Sequence, residues 1–283
     1  MKSRAVLVTS LRSELGVSGD HDGLLVADIR HPDAVESLLG SIHRNGELPL
    51  VTCRADDLQA VRRLVTFAAV RYPGLRACVE PLPGTPMCVG VISSLVDDID
   101  ADASTSPADV IAWRLSALDL LREQVWSAVW LPSVAGLTDP APGLIQHVRS
   151  WLPGSGFLAV HSPTREVLPA SRAPIARLVE KTDHALVHSP ASKSWVVGAV
   201  RDALSATSIS ELSTVRDPID MFGTAAAIEL VAVPLSFHTQ SRPDHRSVTA
   251  CVACGIRHIR PTCPVCRMSA RPDPSLATSG VPS

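Results

Sequence analysis

Aromatic side chains are scarce in this chain of 283 residues: five tryptophans, four phenylalanines and one tyrosine, 4% of the whole. That scarcity fits a compact core built from Ala, Val and Leu. No apolar run reaches the ~18 residues that a membrane span requires, so no transmembrane helix is expected. The opening stretch MKSRAVLVTS is too briefly apolar, and is followed by no small-residue cleavage site, so it does not read as a secretory signal. The expected location is cytoplasmic, where thiols stay reduced. A dominant charge is lacking too. With 26 basic and 28 acidic residues the formal net charge is -2, which argues against a nucleic-acid binder that uses its whole surface. The glycine-rich Gly-x-Gly-x-x-Gly turn, the P-loop and the Gly-x-Ser-x-Gly elbow are all absent.

What the chain does have is a cluster of cysteines. Of its seven, four lie in CVACGIRHIRPTCPVC: Cys251, Cys254, Cys263 and Cys266. Cys53, Cys78 and Cys88 are scattered and read as small apolar residues, not as a disulfide framework. Each Cys-x-x-Cys forms a tight knuckle that aims two sulfurs at one ion, and two knuckles make a tetrahedral four-thiolate site, the preferred structural zinc geometry. Gly255 and Pro264 suit the two turns. His258 is an alternative ligand, but the spacing favours the four thiolates. A site with all four positions filled leaves none for water, so one structural Zn2+ per chain is expected, without catalysis. Residues 242–270 are read as this zinc ribbon and 271–283 as a Pro/Ser-rich disordered tail. Arg246, Arg257, Arg260, Arg267 and Arg271 make the region basic, which suits nucleic acid, a protein partner or an acidic carrier protein.

Upstream, short apolar runs rich in β-branched residues read as buried strands: RAVLVTSL (4–11), GLLVADI (23–29), LPLVTC (48–53), LRACVEPL (75–82) and MCVGVISSLV (87–96). Helical spacing marks 33–43 and the stretch after Cys53, where Leu58, Val61, Leu64, Val65 and Ala68 share a face. The acidic run 97–109 reads as a solvated connector. Beyond it, helices are expected at 109–126, near 143–151, at 173–181 and near 194–206. Strands are expected at SAVWLPSV, GFLAVHS, HALVHS and ELSTV (211–215). GTAAAIELVAVPLSF (223–237) is read as a helix kinked at Pro234. The alternation specifies an α/β fold, with 1–100 and 109–238 as two loosely duplicated halves of one domain, 1–238.

Four segments in order then resemble β-ketoacyl synthases, the thiolase-fold condensing enzymes of fatty-acid and polyketide assembly: RAVLVTSLRSELGV, LVTCRADDLQAV, DHALVHSPASKSW and STVRDPIDMFGTAAAIELVAVPLSF. The resemblance implies thiolase-like, duplicated αβαβα layers. It places Arg54, or Cys53 one residue early, at the nucleophile, His188 at the first catalytic histidine, 134 residues after Arg54, and Asp220 at the second, 32 residues after His188. Arg54 cannot be acylated, Asp56 and Asp57 disfavour a thiolate at Cys53, and an aspartate at 220 would repel a developing enolate. The resemblance therefore implies a non-catalytic subunit, like a chain-length factor, that pairs with an active ketosynthase, with an acyl carrier protein as a further partner. Its hetero- or homodimer interface falls on strand 75–82, around Val79. The alternative is a zinc-ribbon protein that binds nucleic acid or acts as a scaffold on an α/β body. His21 in GDHDG and the Gly-rich turn 151–157 read more simply as a polar turn and a loop than as ligand sites.

Overall fold

A computed structural model describes residues 5–9, 25–28, 50–73, 75–97, 107–152, 156–170, 183–190, 194–212, 218–235 and 248–269. The expected helices 33–43 and 173–181, most of the acidic connector, His21 and the tail after 269 lie outside these residues.

The first sheet contains β1 (Ala5–Thr9), β2 (Leu25–Asp28), β3 (Leu50–Arg54) and β4 (Cys78–Leu82), in the order β2-β1-β3-β4 and parallel throughout. A 3-10 turn, Ala55–Asp57, leads from β3 into α1 (Leu58–Arg71), which buries Val61, Leu64 and Ala68. These pack with Val51, Cys53, Ala77 and Val79 in one apolar cluster. α2 (Pro86–Asp97) and α3 (Pro107–Gln124) follow.

The second sheet is built differently. It comprises β5 (Trp126–Leu131), β6 (Phe157–Ser162), β7 (Glu166–Pro169), β8 (His184–His188), β9 (Ala206–Glu211) and β10 (Ile228–Pro234). Their order is β7-β6-β5-β10-β8-β9, and every pair is antiparallel except β8 with β9. Short helices α4 (Leu144–Arg149), α5 (Ser194–Ala203) and α6 (Pro218–Phe222) connect the strands. Alternation along β10 serves two cores. Ile228, Leu230 and Ala232 face Trp126, Trp130 and α5, whereas Val231 and Val233 join α2, α3, Leu50 and Leu82. One continuous cluster thus joins the two sheets through α2 and α3. Each fully buried Leu or Val in it contributes on the order of 1.5–3 kcal/mol.

These observations correct three expectations. A parallel four-stranded sheet and a mostly antiparallel six-stranded one are not two copies of one unit, so the duplicated thiolase-like architecture does not hold; the mixed α/β class does. The stretch 87–96 is helical, not extended: the Cys88 N–H donates to Thr85 Oγ1 at 3.2 Å, Pro86 opens the helix, and Val89, Ile92 and Val96 share a buried face. The stretch 223–237 holds the central strand β10, not a helix. A strand covered on both faces is apolar at nearly every position and mimics a helical face, while Pro234 falls harmlessly at the strand's last residue.

Candidate functional sites

β3 and β4 end side by side, with Arg54 paired to Leu82 in register. Beyond their carboxyl ends lies a cavity of about 120 Å³. Parallel α/β sheets characteristically receive ligands at that end. The walls come from both sheets: Arg54 at the end of β3 and Asp56 after it, Leu82 at the end of β4 and Pro83 to Pro86 after it, the 136–139 loop after β5, His161 on β6, Arg165, and Met221 with Phe222 on α6. The lining mixes these polar groups with apolar ones, Leu82, Pro83, Leu137, Met221 and Phe222.

The charged lining groups are balanced in sign. The Arg54 guanidinium pairs with the exposed Asp56 at 2.5 Å and lies 3.8 Å from Met221 Sδ. Arg165 meets Asp139 at 3.5 Å. Between them His161 presents a buried Nε2 with no hydrogen-bond partner among the described residues. Burial, the largest influence, pushes the His161 imidazole down to about 4, so the ring is neutral at neutral pH.

The residues singled out from sequence fare unequally. Arg54 is in the pocket. Cys53, one residue earlier on the strand, points the other way into the α1 cluster and is fully buried. Burial first, and the nearby Asp57 second, push its thiol up to about 12, so it is no nucleophile. His188 is buried at the end of β8, its Nδ1 2.7 Å from Ser189 O. It does not line the pocket. Asp220 lies in α6, next to the lining residues Met221 and Phe222. The nucleophile and two histidines of a ketosynthase are therefore not assembled. Sequence reasoning missed His161 and Arg165. For His161 the available signal was a single ionisable residue inside an apolar strand, FLAVHS.

The second site is the cysteine cluster. β11 (Thr249–Ala250) and β12 (Arg257–His258) form a small hairpin that carries it. The sulfurs of Cys251, Cys254, Cys263 and Cys266 all lie within 4.8 Å of one another. Cys251 and Cys266 are 3.4 Å apart, and Cys254 and Cys263 3.5 Å. The two knuckles repeat one hydrogen-bond pattern. Gly255 N–H donates to Cys251 O at 2.8 Å, and Arg267 N–H to Cys263 O at 3.0 Å. Both closing residues have positive φ, 74° and 63°, a conformation that suits Gly255 and strains Arg267. Backbone amides of Cys254 and Ala253 draw the Cys251 thiol down to about 6. Four converging sulfurs on rigid turns form a donor set that fits a metal ion such as zinc.

The cysteine ribbon docks on the outer edge of β4. Arg267 donates to Val79 O at 3.1 Å, and Arg76 donates to Cys254 O at 2.6 Å. Arg260 bridges Glu80 at 2.7 Å and Asp119 at 2.6 Å, while Arg122 reaches Glu80 at 2.9 Å and Asp119 at 2.8 Å. Burial would raise the Glu80 carboxyl, but hydrogen bonds and charge from Arg260 and Arg122 outweigh it and hold the group below the usual carboxylate range. Two arginines of the basic tail are thus spent inside the molecule. Strand 75–82, expected to pair with another subunit, is covered on its outer edge by the chain's own ribbon.

No protein-family model matches the chain, and no characterised protein matches it by sequence. Solved structures do match. A DegV family protein from Thermus thermophilus, described by its fatty acid binding, is 12% identical, with 82% of this chain and 100% of that one covered and a TM-score of 0.57. A DegV family protein from Corynebacterium glutamicum is 14% identical over 86% and 99% of the two chains, with a TM-score of 0.56. The Streptococcus pneumoniae fatty acid kinase (Fak) B3 protein, loaded with linoleic acid, is 11% identical over 82% and 99%, with a TM-score of 0.55. These neighbours overturn the ketosynthase resemblance and, with it, the reading as a ketosynthase partner. The fold of this chain is similar to that of the DegV proteins.

Proposed function

We propose that the chain binds a single-chain carboxylic acid of the fatty-acid class, with its head in the pocket beyond β3 and β4. The observation that carries this reading is the mixed lining: the polar groups Arg54, His161 and Arg165 together with the apolar Leu137, Met221 and Phe222. A cavity of about 120 Å³ is well above the roughly 10–15 Å³ that a single water needs. That leaves room for a carboxylate and the first methylenes of a chain that runs on past the apolar lining residues. Three similar structures support the ligand class: the protein from Thermus thermophilus, the Streptococcus pneumoniae B3 protein, and a stearic acid-binding protein from Eubacterium ventriosum with a TM-score of 0.55.

The mechanism is capture and presentation. The Arg54 guanidinium exchanges its exposed partner Asp56 for the ligand's carboxylate, a charge-assisted pair in a partly dry setting. Neutral His161 donates from its free nitrogen. The bound acid is then presented to a second protein that acts on it, a kinase of the kind named for the Streptococcus pneumoniae neighbour. No helix among the described residues is long and apolar enough to cross a membrane.

We further propose that Cys251, Cys254, Cys263 and Cys266 hold one structural Zn2+. When bound, the ion supplies folding free energy to the ribbon and no reaction chemistry. The test of the main reading is organic extraction and mass spectrometry of the purified protein, followed by titration with long-chain acids. Recovery of a fatty acid, and its weakened binding in Arg54→Ala, are the expected results. An empty extract together with no saturable binding would refute the reading.

A further inference from the structure

The connector from β5 to β6 carries a helix whose apolar side faces outward. α4 (Leu144–Arg149) continues into a tight turn. There the Ser150 N–H donates to Gln146 O at 2.9 Å, the Trp151 N–H to Val148 O at 3.3 Å and the Leu152 N–H to Arg149 O at 3.0 Å. At about 100° per residue, Leu144, Ile145, Val148, Trp151 and Leu152 fall within one arc of about 120°. A stripe of that width usually packs on a core. Here it meets solvent, with exposure from 52% at Val148 to 81% at Trp151. Gln146 and Ser150, on the opposite side, are the two half-buried residues between 144 and 152. Gln146 fixes this orientation. Its Nε2 donates to Val167 O of β7 at 3.2 Å. Its Oε1 passes over Gly143, where a Cβ would stand only 2.6 Å away.

Other exposed large apolar side chains among the described residues stand singly along the chain or, as Phe67 and Val70, in a pair, which is ordinary for a protein surface. None of the five stripe residues lines the pocket, so the stripe is separate from the site already described. Its margins are basic. His147 and Arg149 fall about 40° beyond its two edges, and both are exposed. No Asp or Glu stands between Asp139 and Glu166, although the whole chain carries a formal net charge of -2. A second copy of the chain packed on the stripe about a two-fold axis would bring one basic margin against another. A membrane surface has the matching chemistry: acyl chains for the apolar arc and its tryptophan, and phosphate headgroups for the flanking cations.

We infer that residues 144–152 dock the protein on a membrane surface that carries anionic phospholipid. The segment lies in the plane of the interface with Leu144, Ile145, Val148, Trp151 and Leu152 inserted and Arg149 and His147 at headgroup level. So short a stripe makes the attachment reversible. The inference does not rest on the fatty-acid reading.

The test is flotation of the full-length protein with vesicles at neutral pH. One set contains phosphatidylglycerol and phosphatidylcholine in equal parts, the other phosphatidylcholine alone. The wild type is expected to float with the mixed vesicles and to bind the neutral ones about fivefold more weakly, the scale of one basic side chain at an anionic surface. The variant Ile145→Ser with Trp151→Ser is expected to bind the mixed vesicles at least about tenfold more weakly, because two large apolar side chains no longer leave water. Both positions are exposed, so its melting temperature should match that of the wild type. Arg149→Gln should lose about fivefold on the mixed vesicles and nothing on the neutral ones. Absence of flotation with the mixed vesicles, or equal flotation of the wild type and the serine variant, would overturn the inference. Equal binding of the wild type to both vesicle types would overturn its anionic requirement. Light scattering that shows a wild-type dimer dissolved by the serine substitutions would assign the stripe to a second copy instead.

Discussion

The cysteine cluster gathers its four sulfurs from a stretch running from Cys251 to Cys266, whereas the pocket assembles residues as distant as Arg54 and Phe222. The first is a local device. Two turns bring the thiols together, and its stability should depend on what the thiols hold. The second exists because two unlike sheets meet across α2 and α3, and its stability is that of the shared core. One strand serves both. Val79 and Glu80 of β4 hold the ribbon, and Leu82 with the residues after it walls the pocket. The contrast teaches that the ribbon can be lost without dismantling the pocket's elements, but not without touching the strand that bounds it.

The strongest way to break this division is at the metal. Cys254→Ser should abolish binding of one zinc equivalent and unfold the ribbon, a loss on the order of 5 kcal/mol or more of local folding free energy. The body should still melt cooperatively. Metal analysis, limited proteolysis after residue 248 and a thermal scan would show it, and a body that unfolds together with the ribbon would erase the contrast. Next comes the ion cluster. Arg260→Ala leaves the 4%-exposed Glu80 side chain with Arg122 as its remaining cation, and should cost about 3 kcal/mol in denaturant unfolding.

Acid should act through the same cluster. The folded Glu80 carboxyl sits below its unfolded value, so its contribution is complete above about pH 4.3 and fades as pH falls through the folded value. His161, pushed down to about 4, adds a loss that begins below about pH 6.5. Stability measured from pH 7 downward should therefore fall in two stages, and Arg260→Ala should blunt the second. Smaller still is Arg54→Ala. It should weaken acid binding by about tenfold, or ~1.4 kcal/mol, and leave the melting temperature nearly unchanged. The smallest effect is expected at Cys53→Ala: about 1 kcal/mol or less in stability, no change in ligand affinity, and no alkylation of native Cys53 by iodoacetamide.

The same contrast explains what could be read from the sequence. The four cysteines were visible because their geometry is encoded in spacing alone. Most strands were visible too, since β3, β5, β6 and β8 announce themselves as short β-branched runs. β10 was mistaken for a helix because burial on both faces erases its alternation. The 87–96 helix was mistaken for a strand because it too is apolar around much of its circumference, packed between the two sheets. Arg54 was found for a wrong reason, as a supposed nucleophile position, and its actual neighbours His161 and Arg165 were not found. Nothing local ties His161 to Arg54; a β6 strand in another sheet does. The ketosynthase resemblance failed on the same ground. It rested on order and interval along the chain, and strand order within a sheet is independent of both.

The hydrogen bond from Arg267 to the carbonyl of Val79 joins residues 188 positions apart. On a ribosome adding 5–20 residues each second, that separation amounts to roughly 10–40 s. Throughout that interval an apolar strand edge has emerged while the piece that covers it has not yet been made. The nascent chain therefore carries an open pairing surface during its own synthesis. A stop codon placed just before Cys251 would make that temporary exposure permanent, yielding a product prone to edge-to-edge association.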